Sequence, residues 1–218
     1  MRSLPTGIAL VEQLARNEGN GPSLKSAGAW PPATVVRDLI VNAAIHQDFS
    51  VAAAGPTVEV FDDRIEFSSP GAPLIETERL LDAPPRSRNE ELASLLRSIG
   101  FCEERGNGID RVAAACEAEY LPAPEFRVVN ARTVATVFRR RSFASLTRRE
   151  RSHDVYLHAC LQYANHTRVT AATIRERFGL NDRAVVSHLI ADGITAGLIG
   201  LADPAGGGKL AAYVPHWA

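Results

Sequence analysis

The polar residues best placed to do chemistry lie in one apolar segment, "VVRDLIVNAAIHQDFS", residues 35–50. Asp38, Asn42 and His46 recur there at intervals of four, so in a helix an acid, an amide and an imidazole share one face. A buried amide costs stability unless it is hydrogen-bonded, so the pattern predicts a specific partner for Asn42. Acid and amide oxygens on one face could also hold a hydrated Mg²⁺ ion. A solvated helix edge is the alternative interpretation of this stripe.

A second segment, "RGNGIDRV", places Gly106 and Gly108 at the entrance of a helix. Glycine lets the backbone approach a ligand closely, and the free N–H groups of a helix N-terminus favour a phosphate. The alternative is that one glycine serves a turn and the other serves packing. An Asn-bearing helix, a hairpin and a Gly-rich loop that opens a helix, in that order, are more specific than either motif alone.

The elements that would position these residues follow from hydrophobic spacing. A helix is predicted through about His46, entered after a Pro-Pro pair with Thr34 as its N-cap. "TVEVFDDRIEFSS" predicts a hairpin, and "PEFRVVNARTVATVFRRR" predicts two further strands. Another helix is expected to begin near Asn89, with acids in its first turn, and to end at Gly100.

The pattern changes from about residue 145, and we expect a boundary at 142–147 between domains 1–142 and 148–218. Three short helical patterns are followed by "GLADPAGGGKLAAYVPHW", which predicts a two-stranded wing around a Gly-rich tip. The second and third helices have the spacing of a helix-turn-helix, with Gly179 at the bend and Asn181 as N-cap. The residues expected to pack this motif are Ile174, Phe178, Leu180, Val185, Leu189 and Ile190.

A helix-turn-helix contacts base edges with the N-terminal residues of its second helix. The candidate DNA-contacting residues are Arg183, Ser187 and His188, with Lys209 of the wing against backbone phosphate. The preceding "RRRSFASLTRRER" holds six Arg and one Glu, which suits phosphate contact. One small module makes few contacts with DNA, so a homodimer is expected. A winged helix used for protein contact is the alternative.

The composition narrows the class of protein. The chain has 218 residues, 24 Lys and Arg against 25 Asp and Glu, and three cysteines. It has no apolar run long enough for a membrane span and no recognisable secretory signal, so we expect a cytoplasmic protein without membrane contact. The cysteines are far apart, which favours reduced thiols over disulfides or a zinc site.

The order of these motifs resembles the ATPase fold shared by gyrase, heat-shock chaperone, histidine kinase and mismatch-repair proteins, the GHKL type. In that family a helix with the pattern E-x-x-x-N-A places its Asn on magnesium. "DLIVNAA" matches this pattern through Asp38 and Asn42, with the acid shortened by one methylene. "RGNGI" is similar to the Gly box that closes over the phosphates. The D-x-G-x-G box, whose Asp holds the adenine amino group, corresponds to "SSPGAPL", where Ser69 replaces the acid and Pro73 the second glycine.

A closer resemblance covers roughly residues 30 to 140. "VRDLIVNAAIHQDFS", "FDDRIEFSSPGAPL", "SRNEELASLLRSIGF" and "ERGNGIDRV" are similar to bacterial transcriptional regulators with a RecG-like helicase C-terminal region. His46 and Asp48 fall in that family's H-R-D segment, and Arg88 and Asn89 in its R-N-P segment, each with one departure. No match to that family's usual N-terminal DNA-binding domain, of the AlbA-like or schlafen type, precedes these motifs, so we expect a truncated member.

The resemblance implies an α+β protein, in which a GHKL-like α/β sandwich with a mixed sheet and helices on one face precedes a winged helix-turn-helix. The residues it implies at a nucleotide are Asn42, His46, Gly71, Arg88, Asn89, Gly106 and Gly108. ATP and Mg²⁺ are the implied ligands, with Asn42 on the metal and Asp38 as candidate base. An acid withdrawn by about 1.5 Å is poorly placed for catalysis, and loss of the adenine-reading acid lowers base specificity.

The leading prediction is a DNA-binding transcriptional regulator with a degenerate ATPase-like domain that serves as sensor or dimerisation platform. One alternative is an ATP-binding protein with weak Mg-dependent ATPase activity. Another is a non-enzymatic adaptor that binds protein through the winged helix. A helicase is not expected, because neither a P-loop G-x-x-x-x-G-K-[ST] nor two tandem motor cores can be found in the sequence.

Overall fold

The computed structural model describes residues 30–52, 54–81, 84, 86–101, 108–203 and 211–218. Backbone contacts divide the chain into two units. The N-terminal unit runs to Glu119 and resumes at Pro124–Arg139, and the C-terminal unit consists of Tyr120–Ala123 and Arg140–Ala218. Within the described ranges the protein is α+β, with six α-helices and seven strands. No helix in those ranges has the length and apolar character needed to cross a membrane.

The N-terminal unit is built around a four-stranded sheet in the order β1-β2-β4-β3. Its strands are β1 (Thr57–Val60), β2 (Arg64–Pro70), β3 (Glu125–Val129) and β4 (Arg132–Phe138). The predicted hairpin forms as β1–β2, the two further predicted strands form and pair as β3–β4, and the two pairs join through antiparallel pairing of β2 with β4. The expected mixed sheet is wrong for the described strands, because every strand pair is antiparallel. The parallel contact in this part of the chain is an isolated bridge between Gly71 and Arg132.

The helices of this unit are α1 (Ala33–His46), α2 (Glu90–Ser98) and α3 (Gly108–Ala118). α1 ends where predicted, but Pro32 and not Thr34 occupies its N-cap, without a side-chain cap bond. Proline suits this entrance because its missing N–H would have no partner in the first turn. α1 packs against β2 and α3, and its buried side chains include Val35, Val36 and Leu39.

The C-terminal unit combines three helices with a three-stranded antiparallel sheet in the order β5-β7-β6. Its elements are α4 (Arg148–Ala164), β5 (Val169–Thr170), α5 (Ala171–Phe178), α6 (Arg183–Thr195), β6 (Ile199–Leu201) and β7 (Ala212–Pro215). A capping box between Thr147 and Glu150 begins α4. The core residues are Val155, Ala159, Val169, Ile174, Val186, Leu189, Ile190 and Ile199.

The turn between α5 and α6 differs in detail from the prediction. Gly179 ends α5 with φ +62°, a left-handed conformation that glycine adopts easily. The N-cap of α6 is Asp182 and not Asn181, and its carboxylate accepts the N–H of Ala184 at 2.8 Å. α6 begins one residue later than expected, and its buried face contains Val186 in place of Val185, which is exposed.

Two of the three cysteines, Cys116 and Cys160, are buried and are not joined in a disulfide, and Cys102 lies outside the described residues. Within the described ranges no group of three or more His, Cys, Asp or Glu side chains is arranged to hold a metal ion.

Candidate functional site

The N-terminal unit contains a cavity of about 300 Å³ between α1, the sheet, α2 and α3. Much of its wall is apolar, as is typical of small-molecule sites. Representative apolar lining residues are Leu39, Ile45, Phe67, Leu80, Ile109 and Phe126. Side chains from several secondary-structure elements of one unit therefore converge on a single space.

The polar stripe of α1 faces this cavity, since Asp38, Asn42 and His46 all line it. Asp38 is held by Arg111 of α3 through two bonds, Nε to Oδ2 at 3.0 Å and one terminal nitrogen to Oδ1 at 3.1 Å. Arg37 reaches Oδ1 at 3.4 Å, and the Asp38 side chain is only 2% exposed. Both carboxylate oxygens are thus engaged by guanidinium groups, so Asp38 serves as an ion-pair partner in this structure.

Asn42 lies against the start of α3. A Cβ built on Gly108 would lie 3.1 Å from Asn42 Nδ2, so glycine allows the helix N-terminus to approach the amide this closely. Asn42 Nδ2 is buried and has no hydrogen-bond partner among the described residues. An unsatisfied buried donor costs about 1–3 kcal/mol, which favours a site that a ligand completes. The other predicted glycine, Gly106, lies outside the described residues.

His46 lines the far end of the stripe, at the last residue of α1. Burial lowers its pKa below the ordinary value of 6.5, the positive charge of Arg88 lowers it further, and Glu90 acts in the opposite direction. The imidazole is therefore neutral at pH 7. It lines the site as an uncharged hydrogen-bonding group and not as a cation at the helix C-terminus.

Arg88 and Asn89, predicted at a nucleotide, instead bond to nearby backbone. Asn89 Nδ2 donates to the carbonyls of Ile45 at 2.7 Å and Gln47 at 2.8 Å, which satisfies acceptors at the end of α1. Arg88 donates to Ala72 O at 2.7 Å. These two side chains fix the α1 terminus and the strand exit, and neither lines the cavity.

Gly71, also predicted at a nucleotide, serves the same junction. Its φ is +97°, and an added Cβ would lie 2.9 Å from Asp48 Cβ. Asp48 in turn donates its N–H to Pro70 O at 2.8 Å, and its carboxylate lies 3.5 Å from Arg88. Hydrogen bonds from Ser50, with Arg88 contributing, lower the pKa of Asp48. The segments 46–48 and 88–89 are therefore held together by hydrogen bonds and an ion pair around the tight turn at Gly71.

The sheet supplies hydroxyl groups where the adenine-reading acid would be expected. Ser69 on β2 and Thr133 on β4 are cross-strand partners, and both line the cavity. Thr133 Oγ1 donates to Gly71 O at 2.7 Å, so its oxygen remains an acceptor. No carboxylate of the described strands lines the cavity, so the sheet end of the site cannot select one base through an acid.

Three arginines of the cavity wall, Arg86, Arg97 and Arg111, were missed by the sequence analysis. Arg111 is three residues after Gly108 in "GIDRVAAAC", where Asp110 and Arg111 are the two charged residues of a largely apolar segment, and that was the available signal. Its partner Asp38 is 73 residues away, so spacing alone could not pair them. Among the described lining residues these arginines face two carboxylates, Asp38 and Glu90.

The predicted DNA-contacting residues lie on α6 of the C-terminal unit. Arg183, Ser187 and His188 are all exposed, whereas Val186 and Leu189 on the opposite face are buried. Ser187 Oγ donates to Arg183 O at 3.0 Å, one turn back along the helix. Lys209 lies outside the described residues, between β6 and β7.

Comparison with known proteins finds similarity in the N-terminal unit. Residues 54–137 match the family described as "Putative ATP-dependent DNA helicase recG C-terminal", which supports an ATPase-like domain there. A solved structure, that of the DIP2311 protein from Corynebacterium diphtheriae, is similar in fold at 15% identity and a TM-score of 0.50. The match covers 96% of this chain and 53% of that one, so this chain spans about half its length. No curated protein matches.

The residues present fit one of the two ligands that an ATPase-like domain implies. An apolar cavity with an unsatisfied amide, two hydroxyls and three arginines suits an anionic ligand with an apolar body. A divalent cation does not fit, because Mg²⁺ requires oxygen ligands and the acid nearest Asn42 on α1 is already paired with Arg111.

Proposed function

We propose that the protein is a DNA-binding transcriptional regulator whose C-terminal unit is a winged helix with α6 as its recognition helix. The observation that carries this proposal is the exposed face of α6, where Arg183, Ser187 and His188 share a side left uncovered within the C-terminal unit. Arg183 lies at the first position of the helix, where such motifs contact DNA. The order of helices and strands around α6, with a hairpin after it, supports the same assignment.

The arrangement of charge at the start of α6 supports Arg183 as the main contact. The neighbouring acid, Asp182, is tied to the N–H of Ala184, so it caps the helix. Arg183 makes no ion pair with another described residue, so its guanidinium is available to phosphate or to a guanine edge. Ser187 can still accept a hydrogen bond although its hydroxyl donates to the backbone.

The proposal includes a homodimer. A single small module buries too little surface for tight specific binding, so two copies of α6 would have to engage DNA together. Size-exclusion chromatography with light scattering tests this directly. A protein mass of twice 23.5 kDa on each duplex is expected, and a single chain on each duplex would contradict it.

Fluorescence anisotropy with a labelled duplex tests the DNA contact. Replacement Arg183→Ala is expected to weaken binding about tenfold, as the removal of one base-contacting or phosphate-contacting side chain does. The matched control is Arg127→Ala, which removes an exposed arginine of β3 in the N-terminal unit. Equal affinity of the two variants would exclude α6 as the DNA-contacting helix. Pull-down of a protein partner without nucleic acid would support the adaptor function in its place.

The cavity favours a second candidate function for the N-terminal unit, namely binding of a nucleotide without hydrolysis. Its support is the unsatisfied Asn42 amide beside Gly108, in a unit whose residues 54–137 match an ATPase-like family. Replacement Asn42→Ala is expected to abolish the rise in Tm that ATP produces, since ligand binding stabilises the native state by mass action. An unchanged rise would place the nucleotide elsewhere.

A further inference from the structure

We propose that the cavity binds its anionic ligand without a divalent cation, because the guanidinium of Arg111 already supplies a positive charge in the cavity wall, paired with Asp38. This inference rests on the second candidate function, nucleotide binding by the N-terminal unit. The negative charge of the ligand is then balanced by protein side chains, and binding does not depend on Mg²⁺ as it would in an ATPase-like domain that holds the metal.

Asp38 is already paired with a positive charge, the guanidinium of Arg111. Arg111 approaches it with two parallel contacts of 3.0 and 3.1 Å, the geometry in which a guanidinium matches a carboxylate. The Asp38 side chain is 2% exposed, so water screens this pair weakly. A metal ion at Asp38 would have to displace Arg111 and leave it beside a second positive charge.

Asn42 offers a metal a single acceptor, its Oδ1, whereas its Nδ2 and the nearby Arg111 guanidinium are donors. Its Nδ2 is buried without a partner among the described residues, and it lies against Gly108, the first residue of α3. Arg111 lies one turn further along the same helix. Amide and guanidinium N–H groups bind the oxygens of a phosphate, whereas Mg²⁺ needs acceptor oxygens.

The charged side chains that line the cavity include more arginines than carboxylates. Three arginines and two carboxylates line the cavity in the described part of the chain, and His46 is neutral at pH 7. The described lining residues therefore carry a net formal charge of +1, three arginines against two carboxylates, before any metal binds. A ligand with several negative charges is attracted to such a wall directly.

Thermal unfolding of the full chain with ATP tests the inference. The rise in Tm is expected to be the same in excess EDTA as in excess Mg²⁺. A rise that appears only with Mg²⁺ would overturn the inference and leave nucleotide binding intact. If ATP produces no rise in either condition, nucleotide binding itself fails and the inference fails with it.

A paired substitution tests the role assigned to Arg111. Arg111→Ala alone would leave the buried Asp38 carboxylate with only the 3.4 Å contact of Arg37 and risks unfolding the unit. The combined change Asp38→Asn with Arg111→Gln removes both charges and keeps hydrogen-bonding side chains. It is expected to lose most of the rise that ATP produces in EDTA, whereas the control Arg127→Gln retains it. A full rise in the paired variant would show that Arg111 does not replace the metal.

Discussion

Asp154 makes the stability of the C-terminal unit depend on pH, with a sign and size that follow from its surroundings. It lies on α4, is 5% exposed, and its carboxylate accepts the N–H of Ala123. Burial raises its pKa from the ordinary 3.8 to about 6, although the Ala123 N–H and the charge of Arg177 act in the opposite direction. The folded protein therefore holds this proton more tightly than the unfolded chain does.

The contribution of Asp154 to stability is fully present below the unfolded pKa of 3.8 and is lost as pH rises through about 6. A tenfold change in proton affinity corresponds to about 1.4 kcal/mol, so the loss amounts to about 3 kcal/mol. Replacement Asp154→Asn keeps an acceptor for the Ala123 N–H and removes the titration. The variant should match the parent near pH 4 and exceed its free energy of unfolding by about 3 kcal/mol near pH 7.

Urea unfolding followed by tryptophan fluorescence measures this difference. The sequence has two tryptophans, and Trp217 belongs to the C-terminal unit, where its Nε1 donates to Tyr156 Oη at 3.1 Å. A Trp30→Phe background therefore restricts the signal to this unit. The control Glu176→Gln removes an exposed acid of α5 in the same unit and should leave the difference between pH 4 and pH 7 as large as in the parent. If the free energies of unfolding of the parent and of Asp154→Asn differ by the same amount at pH 4 and at pH 7, Asp154 does not titrate with a raised pKa in the folded protein.

Three further predictions concern the N-terminal unit. Arg111→Ala should lower the free energy of unfolding by about 3–5 kcal/mol, because it leaves the buried Asp38 carboxylate without its bidentate partner. Urea titration measures this change, and a loss below about 1 kcal/mol would contradict the prediction. In the same assay, Gly71→Ala should lower the free energy of unfolding by at least about 1–3 kcal/mol, because φ is +97° and the new Cβ would lie 2.9 Å from Asp48 Cβ. The control Gly55→Ala, at an exposed glycine, should leave the free energy of unfolding nearly unchanged. GTP should raise Tm about as much as ATP, because hydroxyls of Ser69 and Thr133 replace a base-reading acid; a rise confined to ATP would show another source of base selection.

Local patterns in the sequence were sufficient to predict the elements that carry the site. Apolar spacing located α1 to its last residue, and alternation located the four strands of the sheet. The same spacing put the Asp38, Asn42 and His46 stripe on one face, which the structure places on the cavity. These features depend on side-chain period and turn chemistry, which neighbouring residues determine.

The pairings across the site could not be predicted, because each joins residues far apart in sequence. Asp38 meets Arg111 over 73 residues, and Asn89 caps carbonyls 42 and 44 residues earlier. The resemblance placed Arg88 and Asn89 at a ligand, but the structure uses both to hold the end of α1 against the strand exit at Gly71. A motif indicates which residues lie near a site, and the three-dimensional packing decides which of them face it.

The salt dependence of DNA affinity shows whether α6 contacts phosphate. If α6 of each subunit contacts phosphate through Arg183, the logarithm of the association constant should fall with the logarithm of salt concentration with a slope of about −2 or steeper. Arg183→Ala should make that slope shallower by roughly one for each phosphate that the arginine no longer neutralises. Affinity that stays constant from low to moderate salt would contradict the account.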